Sequence, residues 1–178
     1  MVSLKDVRSG KTKLYAWDNF EEGIENEFGA TGPSQAIRAG YYIGSLLSKE
    51  DHHHHGCCGP KYGGASGYIP PTDTFSEDTD LVIAGVKLRA FLTGGEAASE
   101  FGLYLPDYKI AIVADEMFPS VPNLYTLRGA KFRDANGYVR AMDAVLALDV
   151  EHLLGTHLVP ISGREKIVQT VTLYRDMV

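Results

Sequence analysis

Two short apolar segments, each followed by a side chain that commonly binds metal ions, constrain this chain most. Residues 110–113 are apolar throughout and lead into Asp115, and residues 153–154 lead shortly to His157. Apolar runs of this length, bounded by turn residues, are typical of buried strands. Because the chain direction is fixed at a strand end, a carboxylate and an imidazole can converge there on one metal site.

The remaining residues alternate between strand-like and helix-like patterns, which predicts a mixed α/β fold. Strands are predicted at residues 13–16, 81–83, 86–92, 101–105, 109–114 and 152–154. Ala84-Gly85 is a plausible hairpin turn. Helices are predicted at residues 17–28, 34–48 with Ser34 as N-cap, 136–148, and 164–178 with a Ser162–Glu165 capping box. Residues 50–73 form a loop rich in Gly, His and Pro that is either functional or mobile.

Composition excludes some classes of function. A chain of 178 residues can bury a core, and its net charge of -6 argues against a general nucleic-acid binder. The sequence has no run of about 18 apolar residues, so it does not predict a membrane span. The adjacent Cys57 and Cys58 are best interpreted as free thiols, so the redox compartment and the localisation stay open.

One stretch carries a specific likeness. Residues 123–129 read Asn-Leu-Tyr-Thr-Leu-Arg-Gly, and further matching positions are Glu96, Glu100, residues 103–106, Asp115, Arg133, Asp134, His157, Pro160 and Gly163. In order and spacing this pattern resembles the metallo-β-lactamase-fold alkyl sulfatases. A weaker match runs through residues 13–16 and 38–42.

The resemblance implies the second half of an αββα sandwich. Residues 1–161 would form an incomplete metallo-β-lactamase-like domain with residues 81–114 as one sheet, and residues 162–178 would begin a helical domain. Such a half has an exposed sheet edge and an uncovered apolar face. We therefore expect self-association, or pairing with a missing N-terminal half.

The resemblance also implies a two-zinc site. Glu96 would bind one zinc ion, Asp115 would bridge both, and His157 would bind the other. The family's His-x-His-x-Asp-His motif is absent from this sequence, so the chain resembles an internal piece of a longer enzyme. We expect weak zinc binding or none in the chain alone. The ordinary alternatives are a solvated loop carboxylate, a turn aspartate and a core histidine.

Sulfate recognition is expected at Arg128, whose guanidinium offers two parallel donors to an oxyanion. The alternative is a structural arginine that pairs with Asp134. The family reads Tyr-x-Tyr-Gly-Asn where this chain reads Tyr-Tyr-Ile-Gly-Ser at residues 41–45. Tyr42 and Ser45 therefore occupy the expected sulfate pocket, and Ile43 and Ser45 weaken that pocket or change its substrate.

Four contiguous histidines, residues 52–55, follow Asp51. Their spacing differs from the family's metal motif. His52 and His54 could scavenge metal adventitiously, the run could be a plain solvated loop, or it could be a functional metal site.

Three functions compete. The first is an alkyl-sulfatase-like, zinc-dependent hydrolase of sulfate monoesters, present as a truncated chain that is inactive alone, with an alkyl sulfate as its small-molecule partner. The second is a non-catalytic remnant or interaction module of the same fold. The third is another hydrolase of this fold, such as a lactonase or thioesterase, which residues 124–129 disfavour.

Overall fold

A computed structural model describes residues 4–29, 31–42, 48, 68–118, 120–127, 129 and 131–178. The helices are α1 (Leu4–Arg8), α2 (Phe20–Ile24), α3 (Gly32–Tyr42), α4 (Ala135–Ala147) and α5 (Arg164–Asp176), and a π-helical turn, Glu25–Gly29, continues α2. The strands are β1 (Tyr15–Trp17), β2 (Asp73–Phe75), β3 (Thr79–Ile83), β4 (Val86–Leu92), β5 (Phe101–Leu105), β6 (Ile110–Ile112), β7 (His152–Gly155) and β8 (Leu158–Ser162). Short 3₁₀ turns follow β5 at Pro106–Tyr108 and β6 at Ala114–Glu116. No helix among these residues is long and apolar enough to span a membrane.

The main sheet has six strands in the order β3-β4-β5-β6-β7-β8. Neighbouring strands are antiparallel except β6 and β7, which are parallel with Ile112 opposite Leu154. Parallel neighbours need a crossover connection, and α4 lies in that connection. The pairing brings the carboxyl ends of β6 and β7 to the same edge of the sheet. Strands β1 and β2 form a separate parallel pair.

Helices α4 and α5 cover one face of this sheet. Tyr138, Ala141, Met142 and Val145 recur at helical spacing along α4 and are fully buried. Helix α5 contributes the buried residues Ile167, Val171 and Tyr174. The Asp134 carboxylate caps α4 by accepting a hydrogen bond from the Asn136 N–H at 3.0 Å. These helices, the strand residues Phe91, Ala111, Leu153 and Ile161, and Val113 just after β6 form the larger core.

The opposite face carries a smaller apolar cluster. Trp17, Phe75 and Ala90 are its buried members, and Phe75 meets Phe101 edge-on with ring centroids 5.1 Å apart. On this face Ala90, Leu103, Ile112 and Leu154 lie side by side across four strands. Only Ala90 is fully covered, whereas the other three are partly exposed. The two faces of the sheet are therefore covered unequally.

Several predictions of local structure are confirmed. Strands β3 and β4 form the expected hairpin, with positive φ angles of 51° at Ala84 and 83° at Gly85 that suit a two-residue turn. Strands β5 and β6 pair as expected, and α4 lies within one residue of its predicted bounds. Strand β7 begins at the predicted residue.

Other predictions are wrong. The sheet extends beyond residues 81–114 to include β7 and β8, and β2 was not predicted. Helix α3 begins at Gly32, so Ser34 lies inside the helix rather than capping it. The capping box does not form, because the Ser162 hydroxyl is 2.9 Å from His152 Nδ1 across the β7–β8 pair and α5 has no side-chain cap. The Ser162 hydroxyl therefore pairs with His152 on the neighbouring strand instead of with the start of α5.

Two further expectations are not decided. The helix predicted to reach residue 48 passes into residues that the structure does not describe, and most of the 50–73 loop lies outside the described residues as well. The division of the chain at residue 161 stays a prediction. Helix α5 nevertheless packs against α4 and shares the core of the sheet.

We expect Gly137→Ala to destabilise the chain, although alanine is the better helix former. A Cβ at Gly137 would lie 2.5 Å from the Gly94 carbonyl oxygen, so helix α4 or the loop beside it must move. Overpacking of this kind costs roughly 1–3 kcal/mol in unfolding free energy. Gly32→Ala is the matched control, because Gly32 is also helical and a Cβ there meets nothing within 4 Å. Urea unfolding in which both variants behave alike would contradict the prediction.

Candidate metal and oxyanion site

Asp115 and His157 meet at the shared edge of β6 and β7. Asp115 lies in the 3₁₀ turn after β6, and His157 lies in the turn between β7 and β8. His157 Nε2 is 3.5 Å from Asp115 Oδ2, and the side chains are 44% and 37% exposed. Both groups are therefore accessible and close enough to share one ion, and their role as metal ligands stays a prediction.

Each of these two side chains is held in place. The Thr156 hydroxyl donates to Asp115 Oδ1, and the backbone N–H of Thr156 donates to the Ala114 carbonyl at 3.0 Å. The imidazole of His157 stacks on Phe118, with ring centroids 4.9 Å apart and planes 15° apart. The stack fixes the ring plane and leaves Nε2 beside the aspartate.

Glu96 is tied to a buried arginine. Arg133 Nη2 is 2.6 Å from Glu96 Oε1, and their side chains are only 9% and 16% exposed. Arg133 also donates through Nη1 to the Asn123 carbonyl at 2.6 Å. The Tyr138 hydroxyl makes a longer bond of 3.4 Å to Glu96 Oε2. Burial raises the pKa of the Glu96 carboxyl, and the Arg133 charge opposes that rise.

Two further carboxyl groups lie behind the predicted ligands. Glu116 Oε1 accepts the Gly95 N–H at 2.7 Å, and Glu100 Oε1 accepts the Asp115 N–H at 2.7 Å. Their Oε2 atoms are buried with no hydrogen-bond partner within the part of the chain that the structure describes. Burial, together with the nearby Glu116 charge, raises the pKa of Glu100 to about 8, and burial also raises the pKa of Glu116.

Sequence reasoning did not predict these two as site residues. Glu100 appears there only within the family pattern, and Glu116 is not singled out. One signal was available in the sequence: an acidic residue lies within four positions of each predicted carboxylate ligand. The burial of Glu116 was not predictable locally, because it depends on the distant Gly95.

A cavity of about 670 Å³ opens in front of this site. Glu96, Glu100 and Asp115 line one part of it, and Trp17, Phe20 and Leu103 belong to its apolar wall. The cavity therefore offers charged oxygens and an apolar surface to the same ligand.

The structure does not describe the side chains of the remaining predicted site residues. Arg128, Ser45, His52 and His54 lie outside the described residues, and only the backbone of Tyr42 is described. Among the described residues no group of three or more His, Cys, Asp or Glu side chains is arranged to hold a metal ion. Asp134, the alternative partner for Arg128, binds Arg140 at 2.7 Å.

We expect Glu100→Gln to flatten the dependence of stability on pH. The folded-state pKa of about 8 lies above the ordinary 4.5, so the folded state favours the protonated form of this carboxyl. Stability is then lost as pH rises from about 4.5 to about 8. Glutamine keeps an acceptor oxygen and carries no charge, so the variant should lose less stability over this range. Urea unfolding at pH 5.5 and pH 8 measures the difference.

The control for this experiment is Glu165→Gln, which changes an exposed residue at the start of α5. Its pH dependence should match the wild type. If the unfolding free energies of the wild type and Glu100→Gln changed equally with pH, the Glu100 carboxyl would not have the raised pKa on which the prediction rests.

The chain is similar in sequence to several known proteins. No protein-family model matches the chain. It is 37% identical over 180 residues to a linear primary-alkylsulfatase from Pseudomonas sp. (strain ATCC 19151), covering 99% of this chain and 34% of that protein. It is 30% identical over 184 residues to the alkyl/aryl-sulfatase BDS1 of Saccharomyces cerevisiae, covering 99% of this chain and 28% of that protein. The chain thus spans about a third or less of the length of these curated relatives.

Solved structures agree. The inverting sec-alkylsulfatase Pisa1 from Pseudomonas sp. superposes with a TM-score of 0.84 at 28% identity, covering 98% of this chain and 29% of that structure. A metallo-β-lactamase family protein from Thermus thermophilus superposes with a TM-score of 0.57 at 18% identity, covering 98% of this chain and 56% of that structure. The predicted fold class, a partial metallo-β-lactamase-like domain, is confirmed. Over almost its whole length the chain is homologous to a segment of the alkylsulfatases, as its sequence indicated.

Proposed function

We propose that this chain is the part of an alkyl-sulfatase-type hydrolase that supplies half of a two-zinc site and the arginine that binds sulfate. The observation that carries the proposal is the 3.5 Å approach of His157 to Asp115 at the edge of a cavity with an apolar wall. The likeness to named alkylsulfatases supports the sulfate-ester chemistry. Acting alone, the chain would be inactive.

The donor chemistry fits zinc. Zinc binds carboxylate oxygens and imidazole nitrogens, and Asp115 and His157 supply one of each. Glu96 gives Oε1 to Arg133, whereas Oε2 makes the long Tyr138 contact and, among the described residues, keeps a lone pair for an ion. The donor number falls short, because a catalytic zinc ion usually keeps three protein ligands. Weak binding by the chain alone follows.

Charge balance also favours a cation here. Four carboxyl groups, those of Glu96, Glu100, Asp115 and Glu116, lie near the buried guanidinium of Arg133. A sulfate ester approaching this end of the cavity would meet charge of its own sign. When bound, divalent ions would offset that repulsion, stabilise charge developing on the sulfate and lower the pKa of a bound water.

The chain's own residues would hold and orient the reacting groups. Thr156 fixes the Asp115 carboxylate, the Phe118 stack fixes His157, and Arg133 fixes Glu96. The apolar wall of the cavity would bind the alkyl chain and exclude water from it. Arg128 would bind the sulfate, with Tyr42 and Ser45 beside it, as the family resemblance implies.

A partner layer is part of this proposal. Leu103, Ile112 and Leu154 form a partly exposed apolar row on the face opposite α4 and α5, and Val159 on the outermost strand β8 is 82% exposed. The relatives are about three times longer than the chain. Pairing with a further segment of the same fold, or self-association, would cover this face.

A non-catalytic remnant of the fold is the second candidate. The observation that favours it is the lack of any three-donor metal group within the described residues. The two candidates differ in one measurable property, specific zinc binding at Asp115 and His157.

Asp115→Ala and His157→Ala should each abolish specific zinc binding by the chain, since each removes one of two adjacent donors. Isothermal titration calorimetry with zinc measures this, with deletion of residues 52–55 as the control for adventitious binding. We expect the deletion to keep the weak specific site. If the deletion removes all binding, or both point variants bind like the wild type, the ligand assignment is wrong and the remnant is favoured.

Arg128→Lys should weaken sulfate binding without affecting the fold. Lysine keeps the charge but loses the planar pair of donors. The loss of one charge-assisted hydrogen bond corresponds to roughly 1.5–3 kcal/mol, or about 10- to 150-fold in affinity. The measurements are sulfate affinity and thermal midpoint on the same variant, in a form with a complete metal site. A lowered midpoint with unchanged sulfate affinity would assign Arg128 a structural role instead.

A further inference from the structure

The two turns that carry the predicted ligands are tied together by a reciprocal pair of hydrogen bonds. The Glu96 turn is residues 93–100, between β4 and β5, and the Asp115 turn is Ala114–Glu116. From the Glu96 turn, Glu100 accepts the Asp115 N–H, and from the Asp115 turn, Glu116 accepts the Gly95 N–H, both at 2.7 Å. Each turn thus supplies the acceptor for the other's backbone.

The bond from Gly95 to Glu116 depends on close packing. Glu116 is fully buried. A Cβ at Gly95 would overlap Glu116 Oε2 and lie 2.9 Å from the Tyr138 ring, so only glycine allows the carboxylate to approach. Gly95 is not among the glycines with positive φ, so space rather than backbone conformation requires it. The close approach is therefore a specific feature of this pair of turns.

The two hydrogen bonds hold the backbone at or next to the predicted metal ligands. Glu100 holds the amide of Asp115 itself, and Glu116 holds the amide adjacent to Glu96. A carboxyl oxygen accepts a backbone N–H in either protonation state, so both bonds hold whether or not these groups are charged. Mutating groups that hold metal ligands in place typically lowers metal affinity by about 10- to 100-fold.

We propose that Glu100 and Glu116 are positioning residues that set the distance between Glu96 and Asp115 and so prepare the two turns for divalent metal ions. The role in metal binding rests on the proposed function. The link between the two turns, which we call the cross-brace, rests on the two hydrogen bonds alone. Neither residue need touch the metal or the sulfate ester.

The test uses variants that keep or remove the acceptor. Glu100→Gln and Glu116→Gln keep a side-chain oxygen of the same reach, whereas Glu100→Leu and Glu116→Leu remove it. Val145→Ala is the stability control, because Val145 is fully buried in α4 and belongs to neither turn. All five are made in the 178-residue chain.

Two readouts are taken on each variant: hydrogen exchange of the Gly95 and Asp115 amides by NMR, and zinc affinity by calorimetry. Glu100→Leu should accelerate exchange at Asp115, Glu116→Leu should accelerate exchange at Gly95, and each should weaken zinc binding by about 10- to 100-fold. The Gln variants should retain most protection and affinity. Val145→Ala should lower the melting temperature and leave zinc affinity unchanged.

The outcomes separate the two proposals. If the wild type binds no zinc at Asp115 and His157, the proposed function fails, and the amide exchange still decides whether the cross-brace exists. If the wild type binds zinc and the Leu variants bind equally well, the positioning role is overturned. It is also overturned if Val145→Ala weakens zinc binding as much as the Leu variants do, or if the two amides exchange alike in all variants.

Discussion

The parallel pairing of β6 with β7 is the interaction on which the rest of the structure depends. It requires a crossover, and the crossover contains α4, whose buried face forms much of the core. It also places Asp115 and His157 at one edge of the sheet. Because α4 and the segment before it return to that edge, Tyr138 and Arg133 reach Glu96 from the other side. Core and site are consequences of one strand pairing.

Electrostatics imposes the second constraint. Burying carboxyl groups is costly unless they are paired, protonated or bound to a cation. Here Glu96 is paired with Arg133, Glu100 has a pKa of about 8, and Glu116 is stabilised by the Gly95 amide. Burying this cluster of carboxyl groups therefore lowers the stability of the folded chain at neutral pH. Such a cost at a cavity is typical of functional sites, where perturbed carboxyl groups concentrate.

What could be predicted from the sequence follows the strength of local signals. Helix α4, the β3–β4 hairpin and β7 carry strong periodicity or turn chemistry, and the proximity of Asp115 to His157 follows from two strand ends. Strand β8 contains a proline, Pro160, and three of its five residues are exposed, two of them in succession, so it lacks the alternation of buried and exposed residues that would mark a strand. The role of Glu116 depends on the absence of a side chain at Gly95, 21 residues earlier in the chain. Long-range packing of this kind leaves no local pattern.

On our proposal, the partly exposed apolar face and the shortage of metal ligands both call for the same additional layer. Leu103 and Ile112 belong both to the exposed row and to the lining of the cavity, whose polar end is Glu96, Glu100 and Asp115. A layer that packs on this row would therefore border the carboxylates directly. It would exclude water from the apolar wall and bring any donors of its own within reach of Asp115 and His157. Covering the sheet and completing the site would then stabilise each other, because ions bound between two layers favour their association.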